Sequence, residues 1–182
     1  MEPSEDQVHV DRVKAGDSLA YAFLVDKYKN MAFTIALKVT GNREEAEDVA
    51  QEGFLKAYQQ LGAFAGRSKF STWLYTIVYR TALNHRQKNR NRPFSLDPQA
   101  DWQPAAHTTP AHEQLQAKQA QQYVKEAIDR LPPTEALLVT LYYLDENTTR
   151  EIAQITGMSL ANIKIKLFRA RKRLEKDLAF LL

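Results

Sequence analysis

The chain has 182 residues, of which 44% are hydrophobic and 26% are charged, and it contains no cysteine. The absence of cysteine excludes disulfide bonds, thiolate zinc sites, iron–sulfur clusters and a cysteine nucleophile. The acidic start, MEPSED, lacks the basic and apolar layout of a signal peptide. No apolar run approaches the ~18 residues of a membrane span. We therefore expect a soluble intracellular protein with a packed core and one or two small domains.

The net charge of +3 conceals a strong segregation of charge along the chain. Residues 61–92 carry seven basic side chains and no acidic one, and residues 163–182 carry seven basic and two acidic ones. Every other part of the chain is net acidic. Two basic segments separated by acidic sequence predict two distinct surfaces that bind a polyanion.

The middle of the chain is predicted to be a flexible linker over residues 93–117. Four of the seven prolines fall there, and neither helical nor strand periodicity is visible. His107 and His112 lie near its end without other plausible ligands, so we expect no metal site. The flanking segments, 1–92 and 118–182, contain few prolines. We predict an all-α protein with two small helical domains joined by this linker.

The first domain is expected to begin with two apolar-periodic stretches, residues 17–29 and 31–39, which end at Gly41. Asn42 is then a predicted N-cap, and Glu45, three residues later, completes a capping box. The helix that follows has a single apolar stripe, formed by Ala46, Val49, Ala50, Gly53, Phe54, Ala57 and Leu61.

The opposite face of that helix carries acidic and polar side chains: Asp48, Gln51 and Glu52, with Leu55 beside them. A solvated face is the simplest interpretation, and a protein-docking face is the alternative, because Leu55 would otherwise be an exposed leucine. No nucleophile constellation or glycine-rich phosphate loop accompanies the carboxylates in this domain. We find no catalytic motif and predict that the chain is not an enzyme.

The first basic segment starts with the loop GAFAGRSK, residues 62–69, and continues as a helix that Ser71 is predicted to cap. A strand over TWLYTIVY is the competing interpretation, but the continuation to Asn91 has no turn signal for a hairpin. The residues predicted to face inward are Leu74, Ile77, Val78, Thr81 and Ala82.

Aromatic side chains alternate with cations in this segment, a pattern typical of proteins that bind single-stranded nucleic acid. Phe70 and Trp73 could equally belong to the core. Phe64 is the better candidate for binding, because it lies in a loop between Gly62 and Gly66, where backbone freedom would let a strand approach.

The second domain is predicted to begin with a helix over about 111–130 that ends before Pro132 and Pro133. Thr134 is a predicted cap of the next helix, which covers 137–143. Thr148 and Glu151 form a further capping box, followed by Gly157 and a cap at Ser159. A short helix, a glycine turn and a longer helix are the signature of a helix-turn-helix.

The last helix has an apolar stripe formed by Ile163, Leu167, Ala170, Leu174 and Leu178, and its opposite face is cationic. The simpler alternative is a terminal helix whose cationic face is solvated and has no binding function. The preceding turn and cap favour a DNA-binding helix, in which lysine and arginine contact phosphates and an arginine can grip guanine.

Four segments together resemble the extracytoplasmic-function (ECF) type of bacterial RNA polymerase sigma factor, of the sigma-70 superfamily. They are AEDVAQEGFLKAY (46–58), FAGRSKFSTWLYTIVYRTALNHRQ (64–87), AIDRLPPTEALLVTLYYLD (127–145) and TTREIAQITGMSLANIKIKLFRARKRL (148–174). The resemblance covers nearly the whole chain. It implies that 1–92 is sigma domain 2, which docks on core polymerase and melts the −10 promoter element, and that 118–182 is sigma domain 4, which recognises the −35 element.

The resemblance also implies roles for individual positions. Those matching the polymerase-binding helix are Asp48, Gln51, Glu52 and Leu55. Those matching the −10 DNA-binding segment are Phe64, Arg67, Ser68, Lys69, Trp73, Tyr75, Arg80, Asn84, Arg86 and Lys88. Those matching the −35 recognition helix are Lys164, Lys166, Phe168, Arg169, Arg171 and Lys172. Ile165 stands where relatives often carry a small polar residue, and an apolar contact with a thymine methyl group is one possibility there.

The implied partners are core RNA polymerase, through the β′ clamp helices and the β subunit, promoter DNA, and an anti-sigma factor. The implied location is the bacterial cytoplasm, without membrane insertion and without a cofactor. The main rival hypothesis is a stand-alone helix-turn-helix regulator with an N-terminal sensor or dimerisation domain, which does not explain the charge of residues 61–92. A nuclease that uses Asp48 and Glu52 is weaker still, because no third metal ligand is evident.

Overall fold

The structure is a computed structural model that describes residues 4–89 and 111–179, and within these ranges it contains helices and no strand. The predicted linker falls largely outside the described residues, and its last part, 111–117, lies within a helix. The helices are α1 (Glu5–Lys14), α2 (Ala20–Thr40), α3 (Arg43–Gln60), α4 (Phe70–Lys88), α5 (Ala111–Asp129), α6 (Pro133–Val139), α7 (Thr149–Thr156) and α8 (Leu160–Asp177).

The chain divides into two compact units. Helices α1 to α4 belong to the first, and α5, α6 and α8 to the second. This confirms an all-α fold. Within the described residues, no helix is long and apolar enough to cross a membrane.

Helix α1 was not expected from the sequence, yet it is an integral part of the first unit. Ser4 caps it by accepting a hydrogen bond from the backbone N–H of Gln7 at 3.3 Å, and Val10 is fully buried. Lys27 of α2 pairs with Asp6 of α1 at 2.7 Å. The two expected stretches 17–29 and 31–39 form one continuous helix, α2, since neither glycine nor proline separates them.

Helix α3 agrees with its predicted pattern. The backbone N–H of Glu45 donates to the Asn42 side chain at 3.0 Å, so Asn42 is the N-cap. The predicted stripe is buried from Ala46 to Leu61. A side chain at Gly53 would meet Val78, with Cγ2 at 2.8 Å and Cα at 3.3 Å from the added Cβ, so glycine permits the close crossing of α3 and α4.

Two predicted caps were wrong. Helix α4 begins at Phe70 rather than after Ser71, and its N-cap, Lys69, makes no side-chain capping bond. Phe70 is buried among other aromatic rings, which draws it into the first turn. Helix α6 begins at Pro133 rather than after Thr134, because proline suits a first helical position that needs no N–H donor.

In the second unit, α6 and α8 pack together, and a π-helical turn, Thr140–Leu144, continues α6. Glu135 of α6 is buried, and its carboxylate accepts a hydrogen bond from Arg173 of α8 at 2.8 Å. This ion pair satisfies a charge that would be costly to bury alone.

The helix-turn-helix is present as predicted. The Glu151 carboxylate accepts from the Thr148 N–H at 2.7 Å, and the Glu151 N–H donates to the Thr148 hydroxyl at 3.2 Å. Gly157 makes the turn with a φ of 72°, a left-handed conformation that favours glycine. Ser159 then caps α8 by accepting from the backbone N–H of Asn162 at 3.3 Å.

Candidate docking and nucleic-acid surfaces

The first candidate surface is the outer face of α3, formed by Asp48, Gln51, Glu52 and Leu55. All four side chains are exposed, and Leu55 is 57% exposed. They lie on the side of α3 opposite the buried stripe, as the 3.6-residue period predicts. Glu52 is bridged to Lys56 at 2.6 Å, one turn further along the helix.

A polar groove of about 290 Å³ lies beside the outer face of α3 and was not predicted from the sequence. Glu52 and Lys56 line one side, and the Lys56 ammonium donates to the Thr81 hydroxyl of α4 at 3.3 Å. The remaining lining residues belong to the last turns of α4: Asn84, His85, Gln87 and Lys88. The groove therefore connects the α3 outer face with residues expected to bind DNA.

An aromatic pair also borders the outer face of α3. Tyr58 is 41% exposed, and its ring centroid lies 5.0 Å from that of Tyr21. The Tyr21 hydroxyl donates to the Phe54 carbonyl at 2.7 Å, and burial raises the pKa of Tyr21 above its ordinary value. Sequence reasoning missed this pair because Tyr21 and Tyr58 lie on different helices.

Phe64 does not present its ring to solvent, which argues against its predicted role as a base-stacking residue. The side chain is only 4% exposed, and its ring packs edge-on against Phe70 and beside Trp73. The Lys14 ammonium of α1 donates to the Phe64 carbonyl at 2.6 Å and lies over the Phe64 ring. Phe64 therefore anchors the base of the loop.

Tyr75 is completely buried, which argues against its predicted contact with DNA. Its ring lies 6.0 Å from that of Tyr28, which in turn packs against Phe70. Phe64, Phe70, Tyr28 and Tyr75 thus belong to an aromatic cluster inside the first unit. Trp73 lies at the margin of this cluster and is half-buried.

The other residues expected to bind the −10 element lie at the surface. Gly66, with a φ of 67°, turns the loop at residues 65–69, which we call the loop tip. The exposed side chains are Arg67, Lys69, Arg80, Asn84, Arg86 and Lys88, and Ser68 is half-buried. The Arg86 guanidinium also donates to the Val39 carbonyl at 3.3 Å, a hydrogen bond between α4 and α2.

Helix α8 presents a surface opposite its buried residues Ile163, Leu167 and Ala170. Of the predicted −35 residues, Lys166 is half-buried, and the exposed ones are Lys164, Phe168, Arg169, Arg171 and Lys172.

Arg171 has a partner that the sequence analysis did not predict. Its guanidinium donates to the Tyr143 hydroxyl, at 3.0 Å from Nε and 2.6 Å from Nη2, and lies over the Tyr143 ring. The two residues are 28 positions apart, so helical periodicity carries no signal for this contact. Tyr143 restrains the guanidinium at the flank of α8.

Comparison with known proteins identifies the family. The Sigma-70 region 2 family model matches residues 24–92, and the Sigma-70 region 4 model matches residues 121–174. The RNA polymerase sigma-H factor of Pseudomonas aeruginosa is 32% identical over 98% of this chain and 96% of that protein. The ECF RNA polymerase sigma-E factor of Haemophilus influenzae is 32% identical, over 95% of each. The chain belongs to the ECF family of RNA polymerase sigma factors.

Solved structures agree with the fold of this sigma factor. CnrH, in its complex with the cytosolic domain of CnrY, aligns with a TM-score of 0.60 at 20% identity, covering 94% of this chain and 96% of CnrH. The sigma factor RpoE of Bartonella quintana, in complex with the anti-sigma factor NepR, also aligns with a TM-score of 0.60. Its identity is 22%, covering 87% of this chain and 96% of RpoE.

Family membership confirms the predicted function at the level of the whole protein. This sigma factor directs RNA polymerase to promoters, and a stand-alone helix-turn-helix regulator is not favoured. The region 2 match spans α4 and its basic residues, which the regulator hypothesis left unexplained. Sigma factors are DNA-binding regulatory proteins rather than a family of catalysts.

Proposed function

We propose that this sigma factor divides its work among three surfaces. The outer face of α3 docks on the β′ clamp helices of core polymerase, with the β subunit as a further contact. The loop tip and the exposed cations of α4 hold the melted −10 strand, and α8 reads the −35 duplex. The observation that carries the proposal is the separation of charge in the first unit. The α3 outer face exposes two carboxylates, whereas residues 61–92 contain no acidic residue.

The burial of Phe64 changes how the −10 strand would be held. Because Phe64 fixes the base of the loop, capture of an unstacked base falls to the loop tip, where Arg67 and Lys69 lie at the surface. Trp73 is half-buried, and the exposed part of its ring is an aromatic surface on which a base could stack. Capture of a flipped base would offset the few kcal/mol that unstacking costs.

We further propose that the protein has no catalytic activity or cofactor of its own and acts in the cytoplasm. Support comes from its role, since core polymerase catalyses RNA synthesis and the sigma factor selects the promoter at which synthesis begins. An anti-sigma factor is a proposed partner. Support for it comes from CnrH and from RpoE of Bartonella quintana, whose structures contain CnrY and the anti-sigma factor NepR, respectively.

Two substitutions separate the proposed surfaces. Asp48→Ala should weaken binding to core polymerase roughly tenfold, as loss of a central interface contact does, and leave binding to a −35 duplex unchanged. Arg169→Ala should weaken −35 binding by about 1–3 kcal/mol and leave core binding unchanged. Both affinities can be measured by fluorescence anisotropy with labelled protein or labelled DNA.

Glu47→Ala is the matched control for Asp48. It removes a carboxylate from the same helix, but Glu47 is paired with Arg43 at 3.0 Å and lies outside the α3 outer face. We expect core binding within twofold of the unaltered protein. If Asp48→Ala and Arg169→Ala reduced both affinities in the same proportion, the proposed division of work would be wrong.

A further inference from the structure

We propose that Ile165 is a specificity-determining residue that contacts the C5-methyl group of a thymine in the −35 duplex. The inference rests on the proposed function of α8. Ile165 is 51% exposed. It follows the buried Ile163 by two positions, so the helical period places it directly opposite the buried side of α8.

The neighbours of Ile165 on this outward face are uncharged in the first half of α8. Ala161 precedes it by one turn, and Phe168, which is 58% exposed, follows it by three residues. Cations border this apolar strip: Lys164 lies on one side, and Arg169 and Lys172 follow it along the helix. An apolar strip framed by cations matches a DNA groove, where phosphates flank the base edges.

The position of Ile165 along α8 favours base contact over phosphate contact. Residues in the first part of a recognition helix are those that reach base edges in the major groove. An isoleucine side chain has no hydrogen-bonding group and cannot read the donors and acceptors of the bases. The C5-methyl of thymine is the apolar group that the major groove presents. The β-branched side chain is also stiff, which sharpens such a contact.

Deletion of that one methyl group tests the proposal. The probe is a −35 duplex selected from a randomised promoter pool by the holoenzyme, which is assembled from core polymerase and the full chain. Each thymine of the selected −35 sequence is replaced singly by uracil, which lacks only the C5-methyl. We expect one uracil substitution to weaken holoenzyme binding about fourfold, the value of one buried methyl-sized group.

The same series is then measured with Ile165→Ala. The variant should bind the thymine and uracil duplexes equally, because the partner of the methyl group is gone. Leu144→Ala is the matched control, since it removes the same number of carbon atoms from a residue that is 37% exposed and lies outside α8. It should retain the fourfold preference for thymine.

The inference is overturned if no uracil substitution affects binding, or if Ile165→Ala keeps the preference for thymine. It is also overturned if Ile165→Ala leaves DNA binding unchanged but weakens core polymerase binding, because the apolar strip would then cover a protein. A holoenzyme that selects no −35 sequence at all would instead contradict the proposed function of α8.

Discussion

The interpretation of Phe64 changes once its neighbours in the structure are known. Its position between two glycines suggested a ring offered to a DNA base, but the ring is packed against Phe70 and Trp73 and lies beneath Lys14. Lys14, which belongs to α1, is 50 positions away from Phe64 in the chain. A local pattern therefore indicated a loop without revealing which of its residues face inward.

Substitution of Phe64 should consequently lower the stability of the fold rather than remove a direct contact with DNA. We expect Phe64→Ala to lower the free energy of unfolding by about 3–5 kcal/mol, as loss of a buried phenyl ring does. Chemical denaturation followed by circular dichroism measures this change.

Arg67→Ala provides the contrast at the exposed loop tip. It should change the free energy of unfolding by less than about 0.5 kcal/mol, while weakening binding of single-stranded −10 DNA to the holoenzyme. Equal stability of the Phe64→Ala and unaltered proteins would contradict the buried position of Phe64.

At the scale of elements, the close crossing of α3 and α4 depends on Gly53. A methyl group there would meet both the side chain and the backbone of Val78, and a backbone atom cannot move aside alone. We expect Gly53→Ala to destabilise the protein by about 1–3 kcal/mol, the typical cost of overpacking. It should also shift α4 relative to the α3 outer face.

Thermal unfolding of the full chain measures the Gly53 effect, and Gly62→Ala is the control. A Cβ at Gly62 would have no heavy atom within 4 Å, so this substitution should leave the melting temperature nearly unchanged. A Gly53→Ala protein that melts at the same temperature as Gly62→Ala would show that the crossing does not require glycine.

The capping box formed by Thr148 and Glu151 should stabilise α7 locally. Thr148→Ala removes the hydroxyl that accepts from the Glu151 N–H, and we expect it to cost about 1 kcal/mol. Hydrogen exchange of the α7 amides should accelerate about fivefold, while the amides of α3 keep their rates. Thr134→Ala is the control, because α6 has no side-chain capping bond. Equal effects of the two substitutions would contradict the capping role of Thr148.

Helices were predictable where local chemistry alone determines them. The stripe of α3 and the caps Asn42, Thr148 and Ser159 depend on residues within one or two turns, and all are present. Helix α1 was missed because its sequence, EDQVHVDRVK, has only scattered valines, and its stability comes from packing and ion pairs with α2.

At the scale of the whole molecule, the distribution of charge along the sequence predicted which side chains are exposed better than any single motif did. The predicted exposure of the α3 outer face agrees with the structure, as does that of the cationic side chains of α4. Phe64 and Tyr75, by contrast, are buried, and their neighbours include Lys14 of α1 and Tyr28 of α2, which no short pattern connects to them. The polar groove and the contact between Tyr143 and Arg171 were missed for the same reason.

Promoter-directed initiation with purified components tests the central claim most directly. The full chain is added to sigma-free bacterial core polymerase on duplex promoters, and run-off transcripts are measured with and without the Asp48→Ala and Arg169→Ala substitutions. We expect initiation at defined start sites, which Asp48→Ala reduces through core binding and Arg169→Ala reduces through promoter binding. Tight DNA binding by the chain alone, with no initiation when polymerase is present, would contradict its function as a sigma factor.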